Sequence, residues 1–126
     1  MKQCIVFGGS GYIGTQLIRH FLERNTFEKI LIGDIKESPI TNNERVLYHK
    51  VDVRLPIDIK IEQDSVGWIF NLAAVHREPG HLSEEYFQTN VFGAKHVCDF
   101  AEKIKCNNLF FTASISVYGP TLKPTD

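Results

Sequence analysis

The chain has 126 residues, is 43% hydrophobic, and carries 14 basic against 15 acidic side chains for a formal net charge of −1. One domain with an adequate core is expected at this length, and the balanced charge gives no basic footprint for nucleic acid or an anionic membrane surface. No apolar run is long enough to span a bilayer, and the short one after Lys2 stops at Gly8 without a signal-peptide cleavage pattern.

Lys2–Phe7 is mostly apolar and β-branched, which predicts a buried strand of a parallel sheet. It runs into FGGSGYIG, Phe7–Gly14, where four of eight residues are glycine. From Tyr12 the apolar Ile13, Leu17, Ile18, Phe21 and Leu22 recur three and four apart, the pattern of an amphipathic helix to about Arg24. The glycines therefore occupy a strand-to-helix turn, where amide groups and the positive end of the helix can receive a phosphate. Gly8, Gly11 and Gly14 form G-x-x-G-x-x-G, one residue longer in its first interval than the dinucleotide fingerprint. Close helix–strand packing is the bland alternative for such a cluster. A P-loop is a poor competitor, because Thr15 stands where that motif needs lysine.

Glu28–Asp34 predicts a second strand ending in an acid 20 residues after Gly14, where this kind of fold places a carboxylate for the adenosine ribose. A polar connection, Glu37–Arg45, leads to a third strand at Val46–Val51 and then a loop through Pro56. Val66–Ala74 is apolar nearly throughout and predicts a central fourth strand. Ser83 is a plausible N-cap, with Glu84 and Glu85 in the first turn, for a helix running to about Lys105. Asn108–Ala113 predicts a fifth strand.

Strands joined by crossovers imply an α/β fold, a Rossmann-type doubly wound parallel sheet of order 3-2-1-4-5. Its ligand belongs at the carboxyl ends of the strands, where the glycines, Asp34, Asp52, Ala73, Ala74 and Ser114 all fall. Cys4, Cys98 and Cys106 are odd in number and lack metal-ligand or C-x-x-C spacing, so they read as reduced thiols of a cytoplasmic protein.

FGGSGYIG, the acid at Asp34, VDVR (Val51–Arg54), NLAA (Asn71–Ala74), TNVFGA (Thr89–Ala94) and SISVYG (Ser114–Gly119) together resemble the extended short-chain dehydrogenase/reductases. Within them the series is most similar to the NAD-dependent epimerase/dehydratase group acting on nucleotide sugars, and it runs over essentially the whole chain. The resemblance implies that Gly8, Gly11, Tyr12, Ile13, Gly14 and Asp34 bind NAD, the carboxylate disfavouring the 2′-phosphate of NADP while Lys36 nearby favours it. It implies that Asp52 and Val53 meet the adenine, that Leu72, Ala73 and Ala74 pack along the cofactor, and that Asn90 contributes from the long helix. Ordinary core packing serves equally well for Val53 and Leu72, and a solvated helix face for Asn90. Ser114 matches the catalytic serine, with Ser116 and Thr112 as alternatives, and His76 and Arg77 follow the fourth strand where a nucleotide-sugar substrate would lie.

The family's Tyr-x-x-x-Lys pair is absent, since none of Tyr12, Tyr48, Tyr86 and Tyr118 has lysine four positions later. The expectation is an incomplete NAD(P)-binding Rossmann domain over residues 1–126, lacking the substrate domain and inactive alone, whose complete parent is a homodimer. The uncovered sheet edge left behind would favour association. The alternatives are a non-catalytic nucleotide sensor, an NADP-dependent reductase of the same family, and an interaction domain without a ligand.

Overall fold

Alternation along Gln3–Phe7 (β1) places Cys4 and Val6 on one face of a sheet and Ile5 and Phe7 on the other, all four fully buried. The structure is a computed structural model that describes residues 3–40, 42–73 and 88–112. β1 pairs in parallel with Ile30–Asp34 (β2) on one side and Val66–Asn71 (β4) on the other. Val46–Lys50 (β3) lies outside β2, and Leu109–Phe111 (β5) lies outside β4. The order is β3-β2-β1-β4-β5, all parallel, as the sequence predicted.

The helix Tyr12–Arg24 (α1) packs Ile18 and Phe21 against Cys4, Val6, Phe27, Ile30 and Ile32. Its C-terminus is closed by Asn25 in the left-handed conformation and by Arg45, whose guanidinium donates to Phe27 O at 2.5 Å and to Asn25 Oδ1 at 3.0 Å. On the opposite face, the helix Gly93–Lys103 (α2) buries Val97, Phe100 and Ala101 against Ile5, Phe7 and Ile69. The segment after β3 completes that layer without a helix, by burying Val51, Val53, Ile57 and Ile59.

Two local features escape periodicity. Gln3 pairs with Val66 but Cys4 with Trp68, so Gly67 is an extra residue in β4 and Val66 shares a face with Ile69 despite their odd spacing. The long helix expected from Ser83 is described only from Gln88, and Gln88–Phe92 is a π-helical turn rather than the start of α2. The wider turn shifts the side-chain phase so that Gly93 meets Val53, its Cβ position lying 3.0 Å from Val53 Cγ2, while Val91 and Phe92 stay exposed. The strands are slightly shorter than expected, and Ser83, Glu84 and Glu85 lie outside the described residues.

Candidate functional site

The three motif glycines meet three different environments. Gly8 follows β1 with φ +77°, and a Cβ there would lie 2.5 Å from Ala73 N and 2.7 Å from Leu72 C. No side chain is tolerated, because the chain must turn left-handed directly against the end of β4. Gly14, in the first turn of α1, would drive a Cβ to 2.6 Å from Gly9 Cα and 2.7 Å from Gly8 O. Gly11 differs: its Cβ would meet only Gly8 O at 3.7 Å, an ordinary contact. Its backbone is extended, with φ −77° and ψ −179°, which any residue adopts.

Packing therefore accounts for Gly8 and Gly14 but leaves Gly11 unexplained from within the protein. The fold supplies a reason outside it. Gly11 is the N-cap of α1, and among the described residues no side chain caps that end and no acid stands in the first turn, so the positive end of the helix is left to a ligand, with Asp34 beside it bound to Ser10 N. A bare backbone beside an open helix N-terminus is what close approach of a pyrophosphate requires. Tyr12 and Ile13, the next residues, are 80% and 63% exposed and border this opening with apolar surface.

Asp34 ends β2 beside the turn. Its Oδ2 accepts from Ser10 N and its Oδ1 from Lys36 N, each at 3.0 Å, while Ser10 Oγ donates to Lys36 O at 2.7 Å. Its carbonyl accepts from Val51 N at 3.1 Å and Tyr48 Oη at 2.8 Å. Partial desolvation, Asp34 and Glu37 push the Tyr48 phenol up from its ordinary value.

Asp52 sits after β3, and its carboxylate is engaged from within the chain. Arg54 donates from Nε to Oδ1 at 3.0 Å, from Nη2 to Oδ2 at 2.8 Å and from its own amide to Oδ1 at 3.0 Å. These bonds and the guanidinium charge hold the acid below its usual range, against a smaller opposing effect of burial. Any amine of an adenine that approached would share this carboxylate with Arg54. Val53 is 6% exposed and its side chain belongs to the α2 core, which favours the packing role for that side chain. Its carbonyl accepts from His96 Nδ1 at 2.7 Å with that nitrogen protonated, tying the loop to α2.

Leu72 packs partly buried against the α1 side of the core and Ala73 against the α2 side. Leu72 N donates to Phe7 O at 2.8 Å and Ala73 N to the buried Asn71 Oδ1 at 3.2 Å, so the end of β4 is fixed beside Gly8. Asn90 is half-buried in the π-helical turn ahead of α2. Ala74, His76, Arg77, Ser114 and Ser116 lie outside the described residues, whereas Thr112 is described, exposed, and donates its amide to Asn71 O at 3.3 Å. Sequence reading passed over Ser10, Arg54 and His96. Ser10 and Arg54 lie inside motifs already singled out, but only the fold shows which atoms they serve.

The family model of the 3-beta hydroxysteroid dehydrogenase/isomerase family matches residues 5–125. The decarboxylating sterol-4-alpha-carboxylate 3-dehydrogenase of Saccharomyces cerevisiae is 28% identical over 122 residues, covering 90% of this chain and 34% of the relative. UDP-glucose 4-epimerase 2 of Arabidopsis thaliana is 28% identical over 137 residues, covering 94% and 38%. Among solved structures, a UDP-galactose 4-epimerase superposes with a TM-score of 0.77 at 22% identity over 96% of this chain and 41% of its own. The Bordetella bronchiseptica enzyme WbmF, solved in complex with NAD+, does so at 0.76 and 15% over 91% and 37%. These likenesses establish the Rossmann-type fold. The chain spans about a third of the length of the curated relatives it matches. With the family model covering nearly every residue, the chain belongs to the 3-beta hydroxysteroid dehydrogenase/isomerase family, one of the extended short-chain dehydrogenase/reductases that include the NAD-dependent epimerases and dehydratases.

Proposed function

We propose that this chain is the NAD-binding part of an enzyme that oxidises a secondary alcohol of a nucleotide sugar, the keto sugar then being epimerised or dehydrated. The observation that carries the cofactor assignment is Gly11, whose missing side chain the protein's own packing does not require. The residues present fit NAD. The turn Gly8–Gly14 and the open end of α1 would hold the pyrophosphate, Asp34 the adenosine ribose, and the loop at Asp52 and Val53 the adenine. A carboxylate at the ribose favours NAD over NADP by charge repulsion. When bound, NAD supplies the acceptor for a hydride leaving the substrate carbon.

Three further roles fall to side chains beyond the described residues. In this reading Ser114 donates a hydrogen bond to the reacting oxygen, Arg77 pairs with substrate phosphate, and His76 donates to phosphate or sugar hydroxyls. Leu72, Ala73 and Ala74 would pack along the cofactor, and Asn90 would contribute from the π-helical turn. Turnover is not expected from these 126 residues alone, because the proton-transferring Tyr-x-x-x-Lys pair is not among them. The complete enzyme would be a cytoplasmic homodimer.

A second reading keeps the cofactor and changes the substrate. The matched family is named for hydroxysteroids, and the yeast relative is a sterol carboxylate dehydrogenase, which favours oxidation of a sterol hydroxyl instead. Calorimetric titration of the folded chain with NADH and NADPH tests the shared part. Binding of NADH in preference to NADPH is expected, and no binding of either by folded protein overturns it. Among enzyme-length homologues carrying this segment, NAD reduction by a sterol and not by a UDP- or dTDP-sugar would select the second reading.

A further inference from the structure

We propose that Ser10 is a positioning residue for recognition of the adenosine ribose, holding the Asp34 carboxylate through a closed ring of hydrogen bonds between two loops. The inference rests on the NAD reading above and extends it to a residue outside the glycine positions. Ser10 N reaches Asp34 Oδ2 and Lys36 N reaches Oδ1, each at 3.0 Å, and Ser10 Oγ at 2.7 Å from Lys36 O joins the two donors. The ring therefore links the phosphate-side turn to the loop after β2. Below it, Tyr48 Oη and Val51 N both donate to the Asp34 carbonyl and fix the backbone from which the carboxylate projects.

A carboxylate offers about four acceptor positions across its two oxygens. Two amides fill one on each, which leaves one on each for a pair of donors, the number that a ribose diol presents. Rotating the carboxylate aside to admit a 2′-phosphate would break both amide bonds, so the held orientation itself selects a free 2′-hydroxyl. Preorganisation of this kind improves affinity by cutting the cost of ordering the site. The Ser10 hydroxyl is the one side-chain member of the ring apart from the carboxylate, and it donates to the exposed Lys36 carbonyl, whose own amide holds Asp34 Oδ1.

The test measures the ratio of affinities for ADP and 2′-deoxy-ADP in wild type, Ser10→Ala and Ser10→Thr by calorimetry, with thermal melts to confirm folding. Ser10→Ala deletes one exposed hydroxyl and leaves the amide, so the fold is retained. Its ADP affinity is expected to fall about 3- to 10-fold and that for 2′-deoxy-ADP, which keeps only one of the two donors to Asp34, by about 2- to 3-fold, so that the ratio narrows. Ser10→Thr keeps the hydroxyl and should keep the wild-type ratio. An unchanged ratio in Ser10→Ala, or equal weakening of both ligands, overturns the role of Ser10 while wild-type binding of ADP and NADH leaves the cofactor reading standing. Failure of folded wild type to bind either ligand overturns both.

Discussion

A Cβ at Gly8 would stand 2.5 Å from the amide nitrogen of Ala73, so the turn after β1 and the end of β4 meet backbone to backbone. This contact shapes the switch point of the sheet, where the chain leaves β1 for α1 on one face and leaves β4 beside it on the other.

Gly8→Ala should accordingly destabilise the fold itself. The positive φ alone costs roughly 1–3 kcal/mol for a residue with a side chain, and the clash with Leu72 and Ala73 adds to it. Urea unfolding monitored by Trp68 fluorescence should show a lower midpoint with an unchanged slope. A midpoint equal to wild type would refute the tight approach.

Gly11→Ser should do the opposite. Serine is a preferred N-cap and differs from glycine by only about a few tenths of a kcal/mol, so the unfolding midpoint should hold or rise slightly. NADH affinity should nevertheless fall by about tenfold or more, equivalent to roughly 1.4 kcal/mol. Loss of stability with unaltered NADH binding would show that Gly11 serves packing after all.

The Asp52–Arg54 pair predicts a pH dependence. Arg54 lowers the Asp52 pKa in the folded state from its ordinary 3.8. The pair's contribution is therefore present in full above the unfolded value and is lost as pH falls through the lower folded one. Because Arg54 is 41% and Asp52 26% exposed, it should amount to less than about 1 kcal/mol. In Arg54→Ala the Asp52 carboxyl resonance should titrate closer to 3.8 by NMR, and an unmoved titration would remove Arg54 as the cause.

Thiol chemistry should separate the three cysteines. Cys98 is exposed on α2, whereas Cys4 and Cys106 are buried, and burial pushes the Cys4 thiol up to about 12. Iodoacetamide at neutral pH should label Cys98 in the folded protein and reach Cys4 only on unfolding, because the thiolate is the nucleophile. Peptide mapping by mass spectrometry reads the outcome, and early alkylation of Cys4 would contradict the buried placement of β1.

The strands, α1 and the glycine turn were legible in residue order, because buried parallel strands and an amphipathic helix write their periods into it, and the order of the strands followed from the rules for crossover connections. Asp34 was legible for the same reason, its distance from Gly14 being fixed by one helix and one strand. The π-helical turn at Gln88–Phe92 and the extra residue Gly67 were not, since each changes the phase of a pattern without changing its composition. Nor could spacing show that Gly8 and Gly14 serve packing while Gly11 faces outward, or that Ser10 and Lys36 hold the Asp34 carboxylate and Arg54 that of Asp52. Those assignments depend on angstrom-scale approaches between segments far apart in the chain or around a turn, and only the assembled sheet brings the atoms together.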